Sequence, residues 1–558
     1  MTDRVEIHLK NTNERKQVPV GTPLVDIIKI FDFEMPYLIT NAKVNNRTES
    51  LAYKVYRPKL VEFVDISSQS GLRTYVRSLC FILTKAVNDI FPKATTYIEH
   101  AVSKGYFFHI VEDGETNKVT DDQLDDIRKR MHEIVKADHP FISHEKETDE
   151  VVKLFREKGM EDKALLLETS NFMYSRYFEL DGYINYFYSS LTPSTGYITI
   201  FDIMRYNGGF LLQIPNRTTP DRLEDFVRQD KLLNSYREQL HFLNMIELDN
   251  VGDLNKAKQE NRISNVIQVA EAYQAKQIGE IAKEISTRHK SGVRIILISG
   301  PSSSGKTTFR KRLEVQLMVN MLKPVGISLD DYFVNREDTP KDETGDYDYE
   351  SLYALDLPQL EQDMMDLMSG KEVNMPMYNF GTGMREYNNN KLKIDKNDIL
   401  IIEGIHALNP KLTSRIPERM KFMVYVSALT TISLDNHNWI PASDNRLLRR
   451  MTRDFNYRNY SAVDTISRWE KVRQGEDKWI FPYQENADVM FNSAMIYELG
   501  SIRRHVEPIL RQVPRKAPEY AEAYRLLKFL SYFNYITDRE LPPTSLLREF
   551  LGGSSFRY

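Results

Sequence analysis

The stretch that most constrains this chain is a glycine-bounded loop at residues 300–308, which reads GPSSSGKTT. It follows the G-x-x-x-x-G-K-[ST] pattern of a phosphate-binding loop. Residues 293–299 form a β-branched run that predicts a buried strand, and residues 309–317 predict a helix. The alternative is an ordinary glycine- and serine-rich turn before a helix. It does not explain why the motif is preceded by a predicted strand and followed by a predicted helix. The sequence therefore predicts a phosphate site on a strand–loop–helix unit.

The residue types in this loop suit that role. Glycines permit backbone angles and close approaches that a Cβ would block. Lys306 is placed to reach the β- and γ-phosphates, and the Thr307 hydroxyl is placed to ligate Mg²⁺. We expect the phosphates to be held by this set: Gly300, Ser302, Ser303, Ser304, Gly305, Lys306, Thr307 and Thr308.

Length and composition indicate what kind of protein carries this phosphate site. A chain of 558 residues holds about three or four domains. Its net charge of −4 gives no general attraction to nucleic acid or to membranes. Its single cysteine, Cys80, excludes an intramolecular disulfide, as suits a reducing compartment. The N-terminus lacks an apolar signal core, and no apolar run approaches transmembrane length. We expect a cytoplasmic protein that does not bind membranes.

The first 65 residues alternate like short strands around one short helix at residues 24–31. This unit resembles the TGS domain, a β-grasp module found at the start of threonyl-tRNA synthetases and in some GTPases. The resemblance implies a link to RNA or to nucleotide regulation. A docking module without a ligand is the alternative.

Residues 66–225 carry a helix at 72–91, a glycine-aromatic strand near Gly105, and a helix that opens at Thr120. This order is similar to the second N-terminal domain of threonyl-tRNA synthetase, which is related to an editing domain. Phe81, Lys85, Phe187 and Leu191 stand where that family has metal-type histidines and a cysteine. We therefore expect a degenerate domain without zinc or editing activity, acting as a scaffold or sensor.

Two helical segments flank the remaining domain. In the connector, residues 226–290, one helical stripe is apolar and predicts packing against a neighbour. The stripe contains Ile263, Val266, Ile267, Ala270 and Tyr273. The tail, residues 501–558, is predicted to be helical and rich in aromatic residues, which more often pack than bind bases.

In residues 291–500, two further strands end in acidic residues. The first ends at Asp330 and Asp331, and the second, residues 399–403, ends at Glu403. Because the carboxyl ends of parallel strands line the ligand crevice, Asp330 is placed to take a proton from an attacking hydroxyl. Glu403 is placed to hold Mg²⁺, directly or through water. An acidic turn without function is the alternative at Asp330.

A helix at residues 444–454 brings arginines together at positions i, i+3, i+4 and i+7. Such a face is often merely solvated. Following a phosphate loop in a net acidic chain, it instead favours a lid whose guanidiniums contact phosphoryl oxygens. The four are Arg446, Arg449, Arg450 and Arg453.

These motifs, in order from about residue 292 to 499, resemble the uridine kinase and phosphoribulokinase family of P-loop kinases. The matching pieces include the loop, SLDDYF at 328–333, YDYE at 347–350, PMYNF at 376–380 and IEGI at 402–405. The resemblance implies ATP and Mg²⁺ as cofactors, and Asp330 as general base acting with Lys306 and Arg453. It also implies Arg450 as a nucleotide ligand and a substrate-binding set: Asp348, Tyr378, Phe380, Arg385, Arg446 and Arg458.

Two departures put the acceptor in doubt. Uridine kinases have a base-contacting histidine where this chain has Gly383, although the following Arg385 is kept. Further on, Tyr460 replaces a family arginine while Arg458 remains. Losing a polar base contact weakens discrimination among acceptors, because specificity follows from polar groups otherwise left unpaired.

The sequence as a whole predicts a multidomain chain of α+β and α/β classes. A β-grasp and an editing-like α+β domain precede a P-loop kinase domain with a parallel sheet. We expect transfer of the ATP γ-phosphoryl group to a nucleoside 5′-hydroxyl. The alternatives are another small hydroxy acceptor, or an ATP-switched regulator that binds RNA through the N-terminal half. The oligomeric state is not predicted.

Overall fold

The structure is a computed structural model that describes residues 3–395 and 397–557. At the N-terminus a mixed sheet of order β2-β1-β7-β4-β5 holds β1 parallel to β7. Helix α1 buries Leu24, Ile27 and Phe31 against it. The elements are β1 (Arg4–Leu9), β2 (Glu14–Pro19), β3 (Thr22–Pro23), α1 (Leu24–Phe31), β4 (Ile39–Val44), β5 (Arg47–Ser50), β6 (Lys54–Val55) and β7 (Lys59–Asp65).

The next region wraps a long buried helix with two antiparallel sheets. The Thr120 side chain and Gln123 form a capping box that fixes the start of α3, as the sequence predicts. The elements are α2 (Gln69–Ile90), β8 (Thr95–Val102), β9 (Gly105–Glu112), β10 (Glu115–Thr116), α3 (Asp121–Ala137), β11 (Ile142–Glu147), α4 (Thr148–Glu157), α5 (Glu161–Glu168), β12 (Tyr174–Leu180), β13 (Tyr183–Asn185), β14 (Asp202–Tyr206) and β15 (Gly209–Gln213).

The positions that the resemblance aligned with metal-type residues lie in this region. The Phe81 ring packs 5.4 Å from the Phe187 ring, centroid to centroid. Lys85 is almost buried and its ammonium lies 2.6 Å from the Asp89 carboxylate. Two of the four aligned side chains thus meet in one aromatic cluster, and Lys85 is held in an ion pair.

Three helices connect this half to the parallel sheet: α6 (Asp230–Met245), α7 (Val251–Gln259) and α8 (Ile263–Lys290). Ile263, Val266, Ile267 and Ala270 are buried, as their helical spacing predicts, and Tyr273 is partly buried. They share a core with residues of the arginine-bearing helix, including Leu447 and Met451.

The third region is built on a five-stranded sheet in the order β17-β22-β16-β23-β24, with every strand parallel to its neighbours. Its elements are β16 (Ile295–Ser299), α9 (Lys306–Val319), β17 (Lys323–Ser328), α10 (Leu357–Met368), β18 (Val373–Asn374), β19 (Met377–Asn379), β20 (Met384–Glu386), β21 (Lys391–Leu392), β22 (Asp398–Glu403), β23 (Lys421–Ser427), α11 (Ala442–Arg458), α12 (Ala462–Trp479) and β24 (Val489–Asn492). Strands β16 and β22 are buried along their whole length, which explains their continuous apolar sequences.

The tail contains α13 (Glu498–Arg511), α14 (Tyr520–Leu530) and α15 (Arg548–Leu551). It contacts both the region around α2 and the core of the parallel sheet. Arg73 of α2 pairs with Glu522 at 3.0 Å, while Leu546 and Phe550 enter the core beneath the phosphate loop. Among residues 3–395 and 397–557, the helices include none with the length and apolar character needed to cross a membrane.

Candidate functional site

The phosphate loop connects β16 to α9, and its glycines are required by space. A Cβ on Gly300 would lie 2.0 Å from the Val426 carbonyl oxygen. Gly305 has φ +83°, and a Cβ there would lie 2.6 Å from the Leu546 side chain. Ser303 is also left-handed, with φ +59°. The loop is therefore a concave turn of backbone that ends where α9 begins.

At the start of α9, Lys306 and Thr307 face acidic partners. The Lys306 ammonium donates to the carbonyl oxygens of Gly300 at 2.8 Å and Pro301 at 3.1 Å. Burial lowers the pKa of Lys306, and the negative charges of Glu403 and Asp330 oppose that shift. The Thr307 hydroxyl donates to Glu403 Oε1 at 3.1 Å.

These groups fit a nucleotide with magnesium. The Thr307 hydroxyl and the Glu403 carboxylate offer adjacent hard oxygen ligands, the kind that Mg²⁺ selects. Within the described part of the chain, the buried Ser304 hydroxyl oxygen has no hydrogen-bond partner. Such an orphan inside a concave loop suits a phosphate oxygen. Burial raises the pKa of Glu403, which a nearby cation would reverse.

Asp330 lies immediately after β17, at the same sheet edge as the loop and the end of β22. Its N–H is held by the Ser328 hydroxyl at 3.3 Å. The Asp330 side chain borders the cleft. Burial among the surrounding protein groups raises its pKa. The positive charges of Lys306, Arg458 and Arg453 oppose that rise. A carboxyl group with these neighbours can accept a proton from a hydroxyl.

The predicted acceptor residues cluster around a short hairpin, β19–β20. The Tyr378 ring lies 5.1 Å from Phe380 and 5.5 Å from Phe333. Tyr378 is buried, whereas Phe380 is 63% exposed. The Tyr378 N–H approaches Asp331 at 3.4 Å, so the two adjacent aspartates serve different neighbours.

Two other predicted substrate residues already have protein partners. The Arg385 guanidinium lies 2.8 Å from the Asp356 carboxylate. The Asp348 carboxylate accepts the backbone N–H of Glu350 at 3.1 Å, which closes a local turn. The Asp348 side chain is half-buried.

Gly383, which stands where uridine kinases have a base-contacting histidine, lies against Arg336. Its φ is +73°, and a Cβ would lie 2.6 Å from Arg336 Nε. The Arg336 N–H donates to the Gly383 carbonyl at 2.8 Å, and Arg336 Nη2 donates to the Phe380 carbonyl at 3.0 Å. An arginine therefore occupies the space beside the aromatic cluster that a side chain at position 383 would need.

The arginines of α11 divide into two groups. Arg449 is fully buried and donates to Glu498 Oε2 at 2.7 Å, so it holds the fold together. Arg446 is also buried and donates to Glu476 Oε2 at 2.8 Å. Glu476 in turn accepts the Ser302 N–H at 3.0 Å, which links Arg446 to the phosphate loop.

The second group faces the loop more directly. Arg450 donates to the Ser302 hydroxyl at 2.8 Å and to Asp454 at 2.7 Å. Arg453 donates to the Ser303 hydroxyl at 3.2 Å, and burial lowers its pKa to about 10. Arg458 reaches Asp454 at 3.1 Å. The predicted arginine face is thus not one uniform surface, because its members at 446 and 449 turn inward.

Three acidic residues at this site were given no role by the sequence reasoning, although the first lies in the YDYE motif: Glu350, Glu476 and Glu549. Burial, followed by the charge of Glu476, raises the pKa of Glu350 to about 7. Glu549 accepts from the Thr308 hydroxyl at 2.6 Å. Glu476 lies on α12 and Glu549 in the tail, so only the tertiary structure brings them to the loop.

The sequence profile described as "Phosphoribulokinase / Uridine kinase family" matches residues 295–498, the range that contains the parallel sheet and the loop. Residues 295–498 thus carry a domain that matches this family. The kinase domain is accordingly that of a phosphotransferase acting on a hydroxyl group, and the mixed α/β architecture with an all-parallel sheet agrees with it.

Individual relatives match the same region. A uridine kinase of Ureaplasma urealyticum is 27% identical over 198 residues, covering 35% of this chain and 86% of that protein. A uridine kinase of Saccharomyces cerevisiae is 28% identical over 259 residues, covering 45% of this chain and 47% of that protein. A solved structure of a possible uridine kinase from Bacillus stearothermophilus has 19% identity and a TM-score of 0.26, covering 38% of this chain and 100% of that one. The matched uridine kinases thus correspond to less than half of this chain.

Proposed function

We propose that the chain is an ATP-dependent nucleoside kinase that transfers the γ-phosphoryl group to a nucleoside 5′-hydroxyl. The observation that carries the proposal is the meeting of three elements at one sheet edge. The phosphate loop after β16, Asp330 after β17 and Glu403 at the end of β22 all lie at the carboxyl ends of neighbouring parallel strands. The family match and the named uridine kinases support the same activity.

Each side chain has a proposed role in this reaction. Thr307 and Glu403 would hold Mg²⁺, and the residues 300–308 would hold the ATP phosphates. An ion held there would supply positive charge that offsets the negative charge of the phosphates. Asp330 takes the proton of the attacking hydroxyl, and its raised pKa makes it a stronger base than an ordinary aspartate. Lys306, Arg450 and Arg453 lie around the loop, where positive charge stabilises the transferring group.

The acceptor would lie between β19–β20 and the cleft. Tyr378 and Phe380 offer aromatic surface to a base, and Asp348 offers a carboxylate oxygen to ribose hydroxyls. We propose that Arg446, Arg458 and Arg385 support this region through their carboxylate partners as well as by direct contact. Each pairs with a carboxylate within 3.1 Å.

A purified-protein assay of ATP consumption against nucleosides and small hydroxy compounds tests the proposal. We expect turnover with at least one nucleoside, dependent on Mg²⁺, and loss of that turnover in Asp330→Asn while ATP still binds. Full activity of Asp330→Asn would remove Asp330 from the mechanism. Silence toward every nucleoside would contradict the proposed acceptor class.

A second candidate acceptor is a small hydroxy compound other than a nucleoside, such as a sugar phosphate. Arg336 favours it, because its guanidinium lies beside Gly383 and donates to the Phe380 backbone carbonyl, which carries no formal charge. A positive charge beside Gly383 suits an acceptor that carries oxygens or negative charge. The same panel distinguishes the two classes by the acceptor with the highest kcat/KM.

For the remaining chain we propose the division that the sequence suggests. The TGS-like unit would occupy residues 1–65, the degenerate editing-like domain 66–225, the helical connector 226–290, the kinase domain 291–500 and the tail 501–558. The mixed sheet with α1 and the long α2 are compatible with the first two. We also propose a cytoplasmic location, since the single cysteine, Cys80, is a buried free thiol.

A further inference from the structure

The tail places a carboxylate on the phosphate loop. Glu549 lies on the short helix α15, and its Oε2 accepts from the Thr308 hydroxyl at 2.6 Å and from the Thr308 backbone N–H at 3.3 Å. Glu549 is only 8% exposed. The contact joins residues 241 apart in sequence, and Glu549 lies outside the matched range 295–498 whereas Thr308 lies inside it.

Neighbouring contacts hold this carboxylate in place. The Leu546 side chain fills the space in front of Gly305, where a Cβ would come within 2.6 Å of it. The Phe550 ring lies under two guanidiniums, 5.1 Å from that of Arg449 and 5.9 Å from that of Arg453. The tail is thus packed against both the loop and the arginine-bearing helix.

The position that Glu549 occupies is one that attracts anions. Thr308 is the third residue of α9, a helix of 14 residues, and therefore lies in the first turn of that helix, next to the phosphate loop. N–H groups at the start of this helix, together with the loop, are those that cradle nucleotide phosphates. A carboxylate offers the same kind of acceptor oxygens as a phosphate.

Glu549 also engages a residue of the proposed catalytic set. Its Oε1 lies 3.5 Å from Arg453 Nη1, while Arg453 Nη2 donates to the Ser303 hydroxyl at 3.2 Å. The carboxylate therefore neutralises a guanidinium that would otherwise be available to phosphoryl oxygens. The two oxygens of the Glu549 carboxylate thus contact Thr308 and Arg453, two residues that we propose bind the nucleotide phosphates.

We propose that Glu549 is an internal competitor for the nucleotide phosphates and sets the affinity of the site for ATP. ATP binding then requires the Glu549 carboxylate to leave Thr308 and Arg453, which moves α15 away from the loop and frees Arg453. This inference rests on the proposed ATP site.

The test compares Mg²⁺–ATP binding by the full chain and by Glu549→Gln, using calorimetry at fixed ionic strength without acceptor. Glutamine keeps the shape and one hydrogen bond but removes the charge. A hydrogen bond to a charged group is worth about 1 kcal/mol more than a neutral one, so we expect about fivefold tighter ATP binding by the variant. Glu540→Gln, the same charge change at an exposed position of the tail, is the matched control and should bind like the parent.

A second measurement uses the unaltered chain. Hydrogen exchange of residues 546–551 should become faster when ATP is added, because the carboxylate is displaced. Equal or weaker ATP binding by Glu549→Gln overturns the inference, as does unchanged or slower exchange in that segment. If the parent and both variants all fail to bind ATP, the proposed function fails and this inference with it; failure of Glu549→Gln alone to differ leaves the ATP site intact.

Discussion

The buried ion pair between Arg449 and Glu498 gives a quantitative prediction. Both side chains are fully buried. The Arg449 guanidinium donates to Glu498 Oε2 at 2.7 Å, to the Ser493 carbonyl and hydroxyl at 3.0 Å each, and to the Ser303 carbonyl at 3.3 Å. One side chain thereby connects α11, the phosphate loop, the end of β24 and the start of α13. The perturbation is Arg449→Met, which keeps most of the apolar volume and removes every donor.

The expected loss of unfolding free energy follows from the unpaired Glu498 carboxylate that the substitution leaves in the core. In the variant, Glu498 keeps the Met495 N–H at 3.1 Å but loses its positive partner. Leaving one member of a buried ion pair unpaired costs about 3–5 kcal/mol. Replacing both members by apolar residues is often close to neutral. We therefore expect Arg449→Met to lose about 3–5 kcal/mol of unfolding free energy, and Arg449→Met with Glu498→Leu to regain most of it.

Urea unfolding followed by tryptophan fluorescence measures these changes. All three tryptophans lie within residues 291–500, Trp439 just before α11 and Trp469 and Trp479 in α12, so the signal reports on the kinase domain. Arg262→Met, which removes an exposed arginine paired with Glu260 at 2.8 Å, serves as control and should change little. A single variant as stable as the parent, or a double variant less stable than either single, would refute the reasoning.

Further predictions concern catalysis. Asp330→Asn should lower kcat by about 100-fold or more with little change in ATP affinity, measured by ADP release and by ATP titration; a parent-like kcat contradicts its role as base. Because a base must be deprotonated and the pKa of Asp330 is raised, kcat of the parent should fall as pH drops through that raised pKa, and a profile flat to about pH 4 contradicts this. Gly383→Ala should raise the acceptor KM but not the ATP KM, because its φ of +73° is unfavourable and its Cβ would meet Arg336; equal changes in both would place the effect elsewhere. Arg336→Ala should lower kcat/KM for acceptors that carry oxygens toward it and leave ATP binding unchanged; a loss of ATP binding instead would contradict that placement.

Local patterns were sufficient for much of the fold. The strand at Arg4–Leu9, the helix at Leu24–Phe31 and the start of α3 after Thr120 follow from alternation, helical spacing and capping. The helix expected over 72–91 spans Gln69–Ile90, because the Ser68 side chain accepts the Gly71 N–H and starts it earlier. The loop and the acidic strand ends were placed correctly at one sheet edge because their signals are local motifs.

The rest of the site depends on contacts that no local pattern encodes. The Glu549–Thr308 contact joins residues 241 apart, and Arg446 meets Glu476 on a different helix. The arginine spacing in α11 predicted one face toward the phosphates, but Arg446 and Arg449 turn inward to Glu476 on α12 and Glu498 on α13. Similarly, the substitution at Gly383 was visible in the sequence, whereas Arg336 beside it could only be found by folding the chain.

The way α11 is anchored determines which side of the cleft can move. Asp444 in its first turn is gripped by Arg525 through two bonds, of 2.7 and 2.9 Å, and Asp435 in the preceding loop is held by the buried Lys163 at 3.3 Å. Because both the tail and the second region hold α11 in this way, we expect α11 to form the side of the cleft that does not move. The facing wall is the β19–β20 hairpin, where Phe380 is 63% exposed and Met384 54%. We therefore expect the β19–β20 hairpin to move when the acceptor enters and the product leaves. Acceptor binding should change the positions of the cleft walls more than ATP binding does.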